Sequence, residues 1–220
     1  MIGPAIGGGR AVKILIVGAT RGIGRQVLEQ ALAAGHAVTA LVRDTRRLDA
    51  QHERLKVVQG DVLNADSVAL AMAGQEAVCC SLGVKVPWFY VNVFSDGTRN
   101  LLDAMKKSGA RRLVCVTGIG AGDSRGHGGF LYDRLFLPFL LRTVYADKDR
   151  QESLIKASNV DWVIVRPGFL TNGPLTGRYR AITNLSGVTA GWISRADVAH
   201  FILQQLVAPS HLRQTPLLTY

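Results

Sequence analysis

No uncharged apolar stretch in this 220-residue sequence approaches the ~20 residues that a bilayer crossing needs. The most apolar run, 130–141, is cut by Asp133, Arg134 and Pro138, so no membrane is expected as a partner. The first ten residues lack a basic segment followed by an apolar core, and 1–10 read as a flexible lead-in rather than a signal peptide. Cysteine is scarce. Cys79, Cys80 and Cys115 all sit in apolar runs, where buried reduced thiols are expected and a disulfide or metal site is not. His36, His52, His127 and His211 lack the spacing or partners of metal ligands. A cytoplasmic protein without a metal fits these absences.

Acidic residues are outnumbered, 16 against 26 basic ones, for a net charge of +10. The basic residues are spread, and the densest groups are Arg43 with Arg46 and Arg47, Lys106 and Lys107 with Arg111 and Arg112, and Arg178 with Arg180. None forms a long run with interleaved aromatics, which excludes nucleic acid as the expected partner. With 48% apolar and 19% charged residues the chain belongs among folded proteins. No repeat or linker interrupts it, so 11–220 reads as one domain, a monomer or a homodimer.

Short apolar, β-branched runs recur at 13–17, 37–42, 55–59, 77–81, 112–116 and 161–165. Helical spacing fills 22–34, 64–73, 91–108 and 145–157 between them. Asn64 suits an N-cap, and Gly35, Gly74 and Gly109 suit the left-handed position that ends a helix. Ser194 is expected to cap a further helix with Asp197 as its partner three residues on, which accounts for His200 as architecture. Strands apolar on both faces alternating with helices predict a doubly wound Rossmann domain: a parallel sheet with helices on both faces.

The sharpest signal is the run from Ile14 to Arg25, in which an apolar strand enters Gly18-Ala19-Thr20-Arg21-Gly22-Ile23-Gly24 and then a helix. Gly18 permits a tight turn, Gly22 lets backbone approach a pyrophosphate, and Gly24 lets the helix pack on the strand. The residue ending the second strand selects the dinucleotide, because an acidic side chain there accepts from a ribose 2′-hydroxyl. This chain has Arg43, whose forked cation suits a 2′-phosphate, with Arg21 as a second cation. NADP(H) is therefore expected, and Asp44 keeps NAD as the alternative. Asp61 closes the third strand where an adenine amino group is met, and Leu82 and Gly83 close the fourth at the crevice.

Taken with Gly97 to Ala104, Val163 to Gly168 and Ile193 to Ala199, these motifs resemble the atypical short-chain dehydrogenase/reductase branch. Within it the chain is similar to the group that includes NmrA-like proteins and biliverdin-IXβ/flavin reductases. The resemblance implies that Gly18, Thr20, Arg21 and Ile23 surround the pyrophosphate and that Arg43 and Arg47 hold the 2′-phosphate. It places Asp61 and Val62 at the adenine, Leu82, Gly83 and Lys85 along the centre, and Pro167, Gly168 and Phe169 beside the nicotinamide. Two departures count against biliverdin as substrate: Gly118 follows Thr117 where those reductases have serine, and Phe169 stands where they have histidine.

For chemistry the candidates are Thr117, Tyr145 and Lys148. Tyr145 and Lys148 lie one residue closer than the superfamily's Tyr-x-x-x-Lys, yet i and i+3 still share a helix face and leave an acid/base pair open. The alternative is Tyr145 as core with Asp147, Lys148 and Glu152 as solvated helix pairs. The resemblance to flavin reductases also sets Lys148 where they have a histidine near the active site, which implies a role in binding the nicotinamide ribose or in steadying an anionic substrate. Thr117 either hydrogen-bonds a substrate oxygen or caps the turn into Gly118. The apolar run 130–141 and Trp88-Phe89-Tyr90 are expected to wall a ring-binding pocket or to pack in the core. The leading expectation is an NADP(H)-dependent oxidoreductase acting on a small cyclic or carbonyl acceptor such as a flavin or quinone. A non-catalytic dinucleotide sensor is the rival, and a nucleotide-sugar epimerase is disfavoured by length.

Overall fold

The computed structural model describes residues 10–84 and 91–220. β1 (Lys13–Val17), β2 (Ala37–Val42), β3 (Leu55–Gln59), β4 (Ala77–Cys80), β5 (Arg112–Val116) and β6 (Asp161–Pro167) pair in parallel in the order β3-β2-β1-β4-β5-β6. The order reverses between β1 and β4, and a crevice opens at the carboxyl ends of strands at such a point. Two short strands extend the sheet beyond β6. β10 (Leu217–Thr219) joins it in parallel and β8 (Arg180–Ile182) pairs with β10 antiparallel, so the far edge departs from the expected all-parallel sheet. β7 (Phe169–Thr171) and β9 (Trp192–Ser194) form a separate parallel pair.

Alternation along the strands divides the core between the two sheet faces. Ile14 and Ile16 of β1 pack with Val38, Ala40 and Val42 of β2 beneath α1 (Gly22–Ala33) and α5 (Arg195–Val207). Leu15 and Val17 pack with Leu41, Val78 and Cys80 on the other face, with α2 (Ala65–Met72), α3 (Val93–Ser108) and α4 (Arg142–Lys156). All three cysteines are buried and unpaired by disulfide.

The helix ends follow local chemistry. Asn64 accepts from the Ser67 amide at 2.9 Å, and Gly35, Gly74 and Gly109 take positive φ at three helix ends. Ser194 accepts from the Asp197 amide at 3.0 Å, but the Asp197 carboxylate does not return to Ser194. It accepts instead from Thr176, Gly177 and Tyr220. Before α4, 132–140 forms a π-helix containing Pro138, whose missing N–H and bulky ring disfavour the narrower α turn. No helix of the described residues is long and apolar enough to cross a membrane.

Candidate functional site

A crevice of about 710 Å3 lies over the carboxyl ends of β1, β2, β3, β4, β5 and β6. Its first wall is the β1–α1 turn. Gly18 has φ +96°, and a Cβ there would run into the Ser81 carbonyl; a Cβ at Gly24 would run into the Gly18 carbonyl. Gly22 has φ +60°, and a Cβ there would meet only the Arg195 side chain, at 3.9 Å. Two glycines thus close strand against helix while the third leaves backbone bare toward the crevice. Arg21 sits at the N-cap of α1 in extended conformation without a capping side chain, so the first-turn N–H groups keep their donor capacity.

The second wall follows β2. Asp44 caps the 3-10 turn Thr45–Arg47 by accepting from the Arg46 amide at 3.1 Å and from Arg46 Nε at 2.9 Å. That hydrogen bonding to Arg46 holds its carboxyl below the ordinary value. Arg43 and Arg47 line the crevice, as does Arg21, and among the described residues neither Arg21 nor Arg43 has a side-chain partner. Two cations therefore face the crevice at the end of β2 while the nearby carboxylate is engaged elsewhere. In the third wall Asp61 Oδ1 accepts from the Leu63 amide at 3.0 Å, which leaves Oδ2 for a ligand, and Val62 lies beside it. Ser81, Leu82 and Gly83 form the fourth wall.

The inner end is built by Thr117, Lys148 and Pro167. Thr117 Oγ1 donates to Glu152 Oε1 at 2.8 Å. Glu152 is held by Arg166, with Nε at 3.0 Å and Nη2 at 2.6 Å, and Arg166 Nη1 reaches Asp123 at 2.6 Å. Burial alone would raise the Glu152 carboxyl, and the Arg166 guanidinium more than reverses it, so Glu152 is an anion and Thr117 must be the donor. Lys148 Nζ donates to the Thr117 carbonyl and stands 4.9 Å from the centre of the Phe94 ring. Its burial lowers its pKa to about 8. An ammonium has three hydrogens, so it retains donors for the crevice it lines.

These contacts correct three expectations. Tyr145 and Lys148 share a helix face, with Lys148 Nζ 5.9 Å from the centre of the Tyr145 ring, but Tyr145 packs in the core, as the alternative had it: its Oη is shared with Tyr132 Oη at 2.8 Å, and burial pushes its phenol far above the ordinary value. Tyr145 is absent from the crevice lining. Asp147, Lys148 and Glu152 are not solvated helix pairs but buried, with Asp147 accepting from the Phe94 amide at the start of α3. Thr117 neither caps the turn nor has its hydrogen free for a substrate oxygen, because Glu152 takes it.

Of the other expected residues, Gly18, Thr20, Arg21, Gly22, Ile23, Asp61, Val62, Leu82, Gly83 and Pro167 meet in the crevice with Arg43 and Arg47. Gly24 lies behind the turn, and Gly168 packs against the Gly191 carbonyl. Phe169 faces a second cavity, of about 670 Å3, instead. Lys85 and Trp88-Phe89-Tyr90 lie outside the described residues. The sequence reading missed Asn172 and Arg195, which line the crevice and bond to one another at 2.8 Å. Arg195 follows the Ser194 cap, and its signals were its place in the Ile193 to Ala199 motif and a cation at a helix start, where the dipole disfavours one.

A family model described as NAD(P)H-binding matches residues 18–209. An uncharacterized chloroplastic protein of Arabidopsis thaliana is 31% identical over 210 residues, covering 89% of this chain and 72% of that one. A Bacillus subtilis protein named as an uncharacterized sugar epimerase is 25% identical, covering 89% of this chain and 88% of that one. Among solved structures, ChuY, an anaerobillin reductase of Escherichia coli, aligns with a TM-score of 0.80 at 29% identity over 94% of this chain and 96% of that one.

Proposed function

The chain belongs to the NAD(P)H-binding family, and from that premise we propose that it is an oxidoreductase drawing on NADPH to reduce a small cyclic or carbonyl acceptor, with a flavin or quinone as the first classes to try. We read 11–220 as the functional unit and a reducing compartment, such as the cytoplasm, as the setting that suits three free thiols. The observation that carries the cofactor choice is the pair Arg43 and Arg47 on the crevice wall with Asp44 engaged by Arg46. A guanidinium donates forked hydrogen bonds to a phosphate dianion, whereas a ribose hydroxyl wants a carboxylate on the crevice wall, and Asp44 is turned to Arg46 and does not line the crevice.

The cradle fits a dinucleotide by shape as well as charge: Gly18 and Gly24 leave no room for a Cβ, and bare first-turn N–H groups suit a pyrophosphate. When bound, the nicotinamide supplies the hydride. The chain's own residues position and polarise. Pro167 bounds the inner end, the Arg166–Glu152–Thr117 series holds β5 against α4 and β6, and Lys148 presents an ammonium there. Lys148 is the residue we assign to a ribose hydroxyl or to the acceptor's oxygen. Thr117, with its hydrogen on Glu152, can only accept. No described residue at this end is a ready proton donor other than Lys148, which suits acceptors whose reduced form spreads its charge and takes a proton from water.

The same lack of a tyrosine acid favours the second reading, a dinucleotide sensor that does not turn over. Following NADPH and NADH oxidation with FMN, quinones, simple carbonyls and a bilin, beside direct binding, separates the two. The enzyme reading requires turnover with at least one acceptor and NADPH bound more tightly than NADH. Loss of one charged hydrogen bond in Arg43→Ala should weaken NADPH about 10- to 100-fold and leave NADH unchanged. Tight binding without turnover across the panel would make the protein a sensor, and a preference for NADH would overturn the cofactor assignment.

A further inference from the structure

The second cavity, of about 670 Å3, lies against the cofactor crevice and is walled by side chains of a different kind: Phe130, Leu131, Tyr132, Phe136, Leu140 and Phe169. Its one polar lining side chain is turned to the interior, since Tyr132 Oη bonds the Ile119 carbonyl at 3.1 Å and Tyr145 Oη at 2.8 Å. Around it the apolar side chains are bare to a degree that a core does not allow: Phe130 is 76% and Phe139 78% exposed, and Leu131, Leu135 and Phe136 are each at least half exposed. A contiguous patch of this sort marks a binding site. The wide π turns spread these side chains around an opening rather than packing them shut.

The wall between the two spaces is thin. Pro167 borders the crevice, and Phe169, two residues on, borders the cavity, with Tyr132 edge-on to Phe169 at 5.5 Å. A ring held at the Pro167 end of the crevice therefore has the cavity as its neighbour. A second copy of the chain is a poor occupant. Each copy carries +10, and at the patch Arg134, over the Phe130 ring, and Arg142 outnumber the single carboxylate of Asp133. Like charges would meet across such an interface.

We infer that the acceptor is an amphiphile whose reducible ring lies at the Pro167 end of the crevice and whose uncharged hydrocarbon tail fills the cavity walled by Phe130, Leu131, Tyr132, Phe136, Leu140 and Phe169. The inference deepens the oxidoreductase reading and rests on it for the ring, though not for the tail. A homologous series tests it: benzoquinones sharing one ring and carrying alkyl chains from methyl to decyl. NADPH oxidation by the full chain is followed for each, and calorimetry measures binding of the same compounds to protein saturated with NADP+.

The expected result is a KM and a Kd that fall about threefold per added methylene until the cavity is filled, with kcat nearly constant. Leu140→Glu should flatten the chain-length dependence, and Leu70→Ser, on the exposed face of α2, should leave it as in the parent. Turnover with no dependence on chain length overturns the tail site and leaves the oxidoreductase reading standing. Binding that tightens with chain length in the absence of any turnover sustains the tail site and removes the oxidoreductase reading. Neither turnover nor chain-dependent binding removes both.

Discussion

The two cavities on either side of the Pro167–Phe169 segment are made by opposite means. The crevice is made of backbone: the Gly18 turn, the Ser81 carbonyl, strand ends and unengaged N–H groups, with a few charged side chains around them. The neighbouring cavity is made mostly of apolar side chains, carried on the segment 128–141 that holds the wide-turned helix, and a single aromatic from β7. A site specified by backbone tolerates no added atom at its contact points, whereas a site specified by apolar side chains can repack around a different molecule. That contrast matches one invariable ligand in the first place and an adaptable specificity in the second.

The comparison breaks most severely beneath the crevice. Arg166 is 0% exposed and its charge is met by Glu152, 2% exposed, and by Asp123, which is 70% exposed. Glu152→Ala leaves a buried guanidinium with one solvated partner and should cost about 3–5 kcal/mol of stability, read in a denaturant titration. The Glu152 carboxyl is depressed, so its contribution is present at neutral pH and is lost as pH falls through its folded value. A loss under 1 kcal/mol would mean that the crevice floor does not depend on this network.

Next in size is Gly18→Ala. The φ of +96° and the Ser81 carbonyl both oppose a methyl, and there is no flexible side chain to give way. About 3 kcal/mol is expected, shared between a lower melting temperature and weaker dinucleotide binding. An Ala variant that binds NADPH as the parent does would show the turn to be scaffolding only.

The same contrast explains what was legible in the sequence. Gly18, Arg43 and Asp61 could be read because a strand, a turn and a helix follow one another in register, and the pattern is local. β7, β8, β9 and β10 are each three residues long, too short for periodicity to speak, and they bring Phe169, Asn172 and Arg195 into place from afar. Phe169 was expected beside the nicotinamide, but the next-door position and the β7 pleat turn it into the other cavity. Tyr145 and Lys148 share a helix as expected, yet their partners, Tyr132 and the Thr117 carbonyl, come from segments that no spacing within α4 reveals.

Lys148 offers a smaller effect that sharpens the boundary between the regions. Burial lowers its pKa to about 8 from an ordinary 10.5. The ammonium is therefore present at pH 7 and largely lost by about pH 9, and kcat/KM should fall about tenfold across that window if the charge polarises the acceptor or holds the ribose. The folded protein releases this proton before the unfolded chain does, so stability should rise between pH 8 and 10.5 while activity falls. Rate profiles and melts at the same pH values check the opposite signs. Lys148→Met should flatten both curves; a rate profile unchanged in that variant would remove Lys148 from the reaction.

The smallest expected effect is on the exposed apolar rim. Phe139 is 78% exposed and does not line the cavity, so little of its surface is buried on folding. Phe139→Ser should change stability by less than about 0.5 kcal/mol, against the 3–5 kcal/mol that a core phenylalanine costs on truncation. A large destabilisation would mean that 132–140 packs onto the domain as core, and the apolar cavity would then be a fold element rather than a ligand site. A null effect on melting would show that Phe139 is surplus to the fold and leave the exposed rim free for contact with another molecule.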